Sequence, residues 1–298
     1  MRKTFVLWIL TILAFDASAQ WKKYYSLDQS ADNKPVTLNL KATHSSCIIK
    51  PVQNSQVVSV YGALSENSSV NPVFTTQLAN QTQYLNIALN QDQPQAVSAS
   101  FKDQFMSFFS TSSSSDVWKI YLSEENPFNL NLNYLIGDAR VDLSGLSISN
   151  LKINSASADV KVTYLADMKN KIQMDTFLIK VDMGAVEVEK MAYSQAKNVV
   201  AEVGFGKMML DLSDETQLPS NISAGVGAGT LMILLNSNDS VPTIIYINES
   251  PLCHVRLTKD FREIKKNVFV NTSYAPDAEN LLSFNVDVAM GNIIFKTK

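Results

Sequence analysis

Only two histidines, His44 and His254, and two cysteines, Cys47 and Cys253, occur in 298 residues. A histidine-rich metal centre or a His-based catalytic triad therefore has almost no material. Cys253 and His254 are adjacent, but neighbours on a strand point to opposite faces and cannot activate one another. Glycine is scarce as well, at 10 residues, which excludes the calcium-binding nonapeptide repeat with its serial G-G-x-G-x-D. No phosphate-binding Walker loop, GxGxxG, GxSxG or HExxH occurs. Neither sign of charge dominates, with 25 basic and 28 acidic residues and a net charge of −3. Binding nucleic acid asks for a basic stripe, so nucleic acid is not an expected partner. No cofactor is expected.

What the chain does have begins at its N-terminus. Arg2 and Lys3 precede an apolar stretch from Phe5 to Phe15, broken only by Thr11, and Ala17-Ser18-Ala19 follows. That order is a signal peptide over residues 1–19, with Gln20 as the new N-terminus. A spanning helix needs roughly 20 apolar residues, more than this stretch holds and more than any later one. The expected mature chain thus has no membrane span, and with no cysteine after the cleavage site it has no lipid anchor. It should be exported to the periplasm, the outer cell surface or the medium. Without Arg2, Lys3 and Asp16 it keeps 23 basic and 27 acidic residues. In an oxidising compartment Cys47 and Cys253 can pair, although two unpaired, buried thiols fit the sequence equally well.

The informative feature is a repeat of the form small-x-apolar-x-apolar. It reads Ala139-Arg140-Val141-Asp142-Leu143, Ala158-Asp159-Val160-Lys161-Val162, Gly184-Ala185-Val186-Glu187-Val188, Gly206-Lys207-Met208-Met209-Leu210 and Gly229-Thr230-Leu231-Met232-Ile233, and closes with Gly291-Asn292-Ile293-Ile294-Phe295. The first five anchors step by 19, 26, 22 and 23 residues, a period typical of stacked solenoids. Alternation with period two places the apolar partners on one face of a strand. Val141, Val160, Val186, Met208, Leu231 and Ile293 should form one inward row. Leu143, Val162, Val188, Leu210, Ile233 and Phe295 should form a second. Between the rows, Asp142, Lys161 and Glu187 should share an outward column that Met209, Met232 and Ile294 continue. The fold class expected is all-β, a β-helix-like solenoid of short stacked strands with an irregular cap between residues 234 and 283. An antiparallel β-sandwich is the alternative, but it predicts no constant small anchor.

Upstream the periodicity is weaker. Val36–Leu40, Cys47–Lys50, Val57–Tyr61, Tyr84–Leu89 and Val117–Leu122 read as strands. A Ser-rich loop over 101–116 carries Phe101, Phe105, Met106, Phe108 and Phe109, a mobile apolar loop by composition that either tucks under as a satellite core or grips a partner. The organisation read from the sequence is a signal peptide at 1–19, an N-terminal β region at 20–125 and a repeat-built β domain at 126–298.

The stretch Asn133-Tyr134-Leu135-Ile136-Gly137-Asp138-Ala139-Arg140-Val141-Asp142-Leu143-Ser144-Gly145-Leu146, followed by Leu151 to Val160, resembles the toastrack domains of bacterial envelope proteins. The ending is similar too, from Asp260-Phe261 through Val268-Phe269-Val270-Asn271 and Tyr274 to Phe284–Phe295. The resemblance covers about 126–298. It implies a right-handed, single-stranded β-helix-like solenoid, related to adhesin-like domains and to the C-terminal part of LiaF-like stress proteins, with no catalytic residues to carry over.

The sequence therefore points to an exported, non-catalytic structural or interaction module, whose partner is an envelope protein or glycan, or a second copy of the chain. Met209, Met232 and Ile294 are the candidate interaction stripe, the alternative being that the irregular segment between 234 and 283 folds back and covers them. A polysaccharide lyase or hydrolase on a β-helix is the competing reading. It needs paired carboxylates on one outward face. The densest local acids, Asp211, Asp214 and Glu215, read instead as a solvated turn after Leu210.

Overall fold

The computed structural model describes residues 21–29, 33–53, 55–64, 68, 70–91, 116–215, 218–238 and 240–298. The signal-peptide reading over 1–19 and the cluster of Phe101, Phe105, Met106, Phe108 and Phe109 lie outside the described residues.

The N-terminal part holds β1 (Lys22–Asp28), β2 (Val36–Val52), β3 (Gln56–Ala63), β4 (Val70–Ala79), β5 (Thr82–Gln91) and β6 (Val117–Ser123). β2 is long enough to serve two sheets. Its first half pairs in parallel with β5 and its second half with β6. Antiparallel strands finish this end, with β4 on β5, β3 on β6 and β1 on β3. β7 (Pro127–Asp142) then lies along the other side of β2, so the sheet runs unbroken across residues 125 and 126.

Four coils follow, each a first strand, a corner and a second strand. They are β8 (Ser147–Ser155) with β9 (Asp159–Thr163), β10 (Met174–Val181) with β11 (Ala185–Val188), β12 (Ala196–Val203) with β13 (Lys207–Leu212), and β14 (Ser220–Val226) with β15 (Thr230–Leu235). First strands pair only with first strands, second only with second, all in parallel. The result is an all-β solenoid of two open parallel sheets meeting at a corner. The sandwich alternative is not what forms.

The C-terminal end departs from chain order. After β16 (Thr243–Glu249), β17 (His254–Arg256), β18 (Arg262–Lys265) and β19 (Val268–Val270) come β20 (Leu282–Val288) and β21 (Asn292–Thr297). β20 and β21 stack directly on β14 and β15, while β16 and β17 stack outside them. The antiparallel hairpin β18–β19 closes the stack through β16. The segment expected to be irregular is thus an additional coil and its cap. It lengthens the outer face of the second sheet instead of folding back over it.

Both predicted inward rows are buried throughout. In the first copy, however, the register differs by two residues. Ala139 faces Val160 and Val141 faces Val162, so Val141 stands in the second row and Arg140, not Asp142, shares the outward column with Lys161 and Glu187. The corner residue is Gly137, not Ala139. A slip of two preserves strand alternation, so both rows stay apolar in either register and the pattern cannot tell them apart.

Ala158 holds one corner, but at Gly137, Gly184, Gly206, Gly229 and Gly291 glycine is required by its neighbour. A Cβ on Gly137 would lie 2.3 Å from the Ser45 carbonyl oxygen, and φ there is +117°. On Gly184, Gly206, Gly229 and Gly291 it would lie 2.1–2.4 Å from the carbonyl oxygen of the corner residue stacked against it. Backbone ladders run straight through these corners, with amides of Met183, Phe205, Ala228 and Met290 donating at 2.7–2.8 Å to the adjacent coil.

Two buried asparagines fasten loops to the stack. Asn170 accepts from the Ile148 amide and donates to the Ile148 and Ile172 carbonyls, each at 2.8 Å, and Asn271 similarly joins Thr243 to Val241. Asparagine also forms ladders on the outer face of the first sheet. Asn131 donates to Asn39 at 2.7 Å and Asn39 to Asn86 at 2.8 Å, while Asn150–Asn129 and Asn154–Asn133 repeat the contact at 3.0 and 2.6 Å. An amide carries both donor and acceptor, so identical side chains in parallel register can satisfy one another.

Cys47 and Cys253 are both free thiols. Seven parallel strand steps separate β2 from β17; at about 4.8 Å each, this is roughly 34 Å, beyond any disulfide. Burial pushes the Cys47 thiol up to about 12, against the lowering effect of its contact with the Ser45 hydroxyl. One thiol per native chain, Cys253, is therefore expected to react with a water-soluble disulfide reagent. The second should appear only in denaturant, and two fast native thiols would contradict this placement.

Candidate functional site

The outward column on the second sheet is built by strict register. From Arg140 it passes through Lys161, Glu187, Met209, Met232 and Ile294 to Arg256, one residue per strand. Met209, Met232 and Ile294 are thus brought together in adjacent strands, about 4.8 Å apart, each half-buried. They sit in a charged setting. Lys161 bonds Glu189 at 2.6 Å and approaches Glu187 at 3.7 Å, and the Glu189 contact, ahead of burial, raises the Lys161 ammonium above its ordinary value. Arg256 is exposed and makes no ion pair among the described residues. A shallow groove of about 730 Å³ runs along this face from Asp138 to Met232.

A second apolar line, not anticipated from the sequence, follows the corner. The middle corner residue is Met183 in one coil, Phe205 in the next, then Ala228, then Met290. Leu252 lies in the corner of the outermost coil, which is one residue longer. Met183 is 66% exposed, Phe205 77%, Met290 59% and Leu252 69%. The signal was present as an apolar residue directly before each anchor glycine, in a turn where polar residues are usual. Two coils further up, the position holds Ser157 and Ile136.

The acidic turn after Leu210 is not solvated throughout. Asp211 is buried, and its carboxylate accepts from the Ser213 amide and hydroxyl at 3.1 and 2.5 Å and from Lys298 Nζ at 2.7 Å. Asp142-Leu143-Ser144 builds the same turn earlier in the stack. Burial alone would raise the Asp211 carboxyl, but the hydrogen bonds from Lys298 and Ser213 outweigh it and hold it below the usual carboxylate value. A lowered carboxyl contributes stability that is present above its unfolded value, near 3.8, and is lost as pH falls through the folded value. Lys298→Met should cost about 1–2 kcal/mol at neutral pH. It should also flatten the fall in urea midpoint below about pH 4, the range over which the wild-type pairing is lost as pH drops toward the lowered folded value. Equal acid slopes would refute the pairing.

The outer face of the first sheet carries a groove of about 470 Å³ over Gly225. Gly225 is the next-to-last residue of β14, and a Cβ added to it would meet nothing within 4 Å. Its column neighbours are Glu202 on one side and Asp287 then Asn248 on the other. Tyr246, 42% exposed, and the turn at Lys266–Asn267 form the end wall. Among the described residues, no three of His, Cys, Asp and Glu gather as a metal site, and no helix is long and apolar enough to cross a membrane.

A family model described as the N-terminal domain of toast_rack, DUF2154, matches residues 18–178. The match overlaps the stretch from 126 on which the resemblance was read and extends through the upstream strands. A comparison with curated proteins finds no match. Among solved structures, a "putative cell adhesion protein" of Clostridium sporogenes is similar at 14% identity and a TM-score of 0.42, covering 94% of this chain and 100% of that one. A "putative adhesin" of Bacteroides fragilis is similar at 11% identity and a TM-score of 0.31, covering 94% and 98%.

Proposed function

The chain belongs to the toast_rack N-terminal domain family, and on that premise we propose that it is an exported, non-catalytic, adhesin-like module that binds a macromolecular partner at the cell envelope. One observation carries this reading. Large apolar side chains, interrupted at Ala228, recur along an exposed corner beside a half-apolar outer column. Contiguous exposed apolar lines mark interaction sites, because soluble surfaces otherwise scatter such residues singly. The backing is rigid, since every corner is tied to the next by backbone ladders. Repeat stacks use such flat, extended faces for binding.

Beads coated with the purified protein should be retained on cells of the producing strain. The doubly substituted Phe205→Asp, Met290→Asp protein should fold normally and lose most of that retention. Equal retention would overturn the reading. Export has its own readout, since protein recovered from the envelope or medium should begin at Gln20.

The Gly225 groove supports a second reading, a glycan-active enzyme. Glu202 and Asp287 flank Gly225 two strands apart, about 9.6 Å along the stack. Carboxyl pairs of inverting glycosidases stand at a comparable separation, about 6.5–9.5 Å. Release of reducing ends from a soluble polysaccharide, abolished by Glu202→Gln, would favour it. Absence of release across envelope glycans would leave the groove a surface hollow.

A further inference from the structure

Resting on the binding reading above, we propose that the partner on this face is a second copy of the chain, related by a two-fold axis that runs along β15. The argument is the symmetry of the column. Count outward from Met232 in both directions. One strand away stand Met209 and Ile294, and two strands away stand Glu187 and Arg256. Two sheets packed face to face about an axis parallel to β15 keep each column and reverse the order of strands. Met232 then meets Met232 of the second copy, Met209 meets its Ile294, and Glu187 meets its Arg256. Even spacing of parallel strands makes all these coincidences simultaneous, and each residue meets its reciprocal partner, as a closed two-fold interface demands.

The corner obeys the same operation. Phe205 and Met290 lie one coil to either side of Ala228 and exchange places. Ala228, between them, falls on the axis and meets its own copy. The perpendicular in-plane axis is disfavoured, because it would set Glu187 against Glu187 and Arg256 against Arg256. A membrane surface fits less well: Lys180 on one flank is paired with Asp182 and Glu202, and with Lys207 on the other this leaves the ridge without the basic rim that anionic lipid attracts.

Five strands by three outward columns span about 24 by 20 Å, so the dimer buries on the order of 1,000 Å² in total. That lies at the low end of specific interfaces and implies a weak, concentration-dependent dimer.

Sedimentation equilibrium of the purified protein should show a monomer–dimer exchange in the micromolar range. Glu187→Arg and Arg256→Glu should each weaken it at least tenfold, and the doubly reversed protein should return to within a few fold of wild type. Met232→Glu should be monomeric. Both charge positions are exposed or half-exposed, so the reversal test does not depend on Met232→Glu folding. A wild-type monomer at several hundred micromolar, or single reversals that the double reversal fails to rescue, overturns the proposal. If the wild type is monomeric while bead retention still depends on Phe205 and Met290, the second copy falls and the binding reading stands. If retention is insensitive as well, both fall.

Discussion

Gly229→Ala is expected to lower folding stability by about 3 kcal/mol, read as a fall in urea midpoint at unchanged slope. The new methyl carbon would stand 2.3 Å from the Gly206 carbonyl oxygen, 2.6 Å from Val203 Cγ1 and 3.1 Å from the Phe205 carbonyl carbon. Two of those atoms are backbone, held in the ladder of the neighbouring coil, so no side-chain rotation relieves the contact. Relief must come from separating two coils, which strains every hydrogen bond between β13 and β15. Gly225→Ala provides the opposite control, because the added methyl meets nothing within 4 Å. Removing the unfolded-state freedom of glycine there should raise stability by about 0.5–1 kcal/mol. Equal effects at the two sites would show that corner crowding is not what selects glycine.

Phe284→Ala should cost about 3–5 kcal/mol and should do so locally. Phe284 on β20 is fully buried and meets Phe295 on β21 edge to face, centroids 5.3 Å apart, tying the first sheet to the second within one coil. In a stack where each coil touches only its neighbours, damage spreads by nearest-neighbour terms. Amides of β16, β19 and β21 should therefore lose hydrogen-exchange protection first, while those of β2 and β7 keep theirs. Uniform loss of protection along the stack would mean that the solenoid unfolds as one unit.

The solenoid was legible because its rule is local. Small anchors fix the corners, and alternating valine, isoleucine and leucine fix the two inward rows. Two things hid behind the same rule. Arg140 and Asp142 were interchanged as the outward residue because a two-residue slip leaves the apolar pattern intact. What decides the register is Gly137, whose constraint comes from the carbonyl of Ser45, a contact 92 residues away in sequence. The placement of β20 between β14 and β16 was equally invisible, since all three carry similar apolar rows and alternation does not say which edges meet. For the candidate site, the Met209, Met232 and Ile294 column followed from register alone. The corner line was missed because a residue before a glycine reads as a turn, and exposure in a turn depends on which way the corner points.

The order of strands in space has a consequence for synthesis. Residues 243–270 leave the ribosome before residues 282–297, yet they belong outside them. Until the later pair arrives, β14 and β15 present bare edges, and β16 and β17 carry the inward pattern needed to occupy them. Correct docking must close 62 residues from Gly229 to Gly291, against 23 from Gly206 to Gly229, a penalty of about 0.9 kcal/mol more. The nascent chain is thus offered an early, wrong neighbour at lower entropic cost. Its native arrangement depends on the first seating being reversible long enough for the newest segment to slip beneath it.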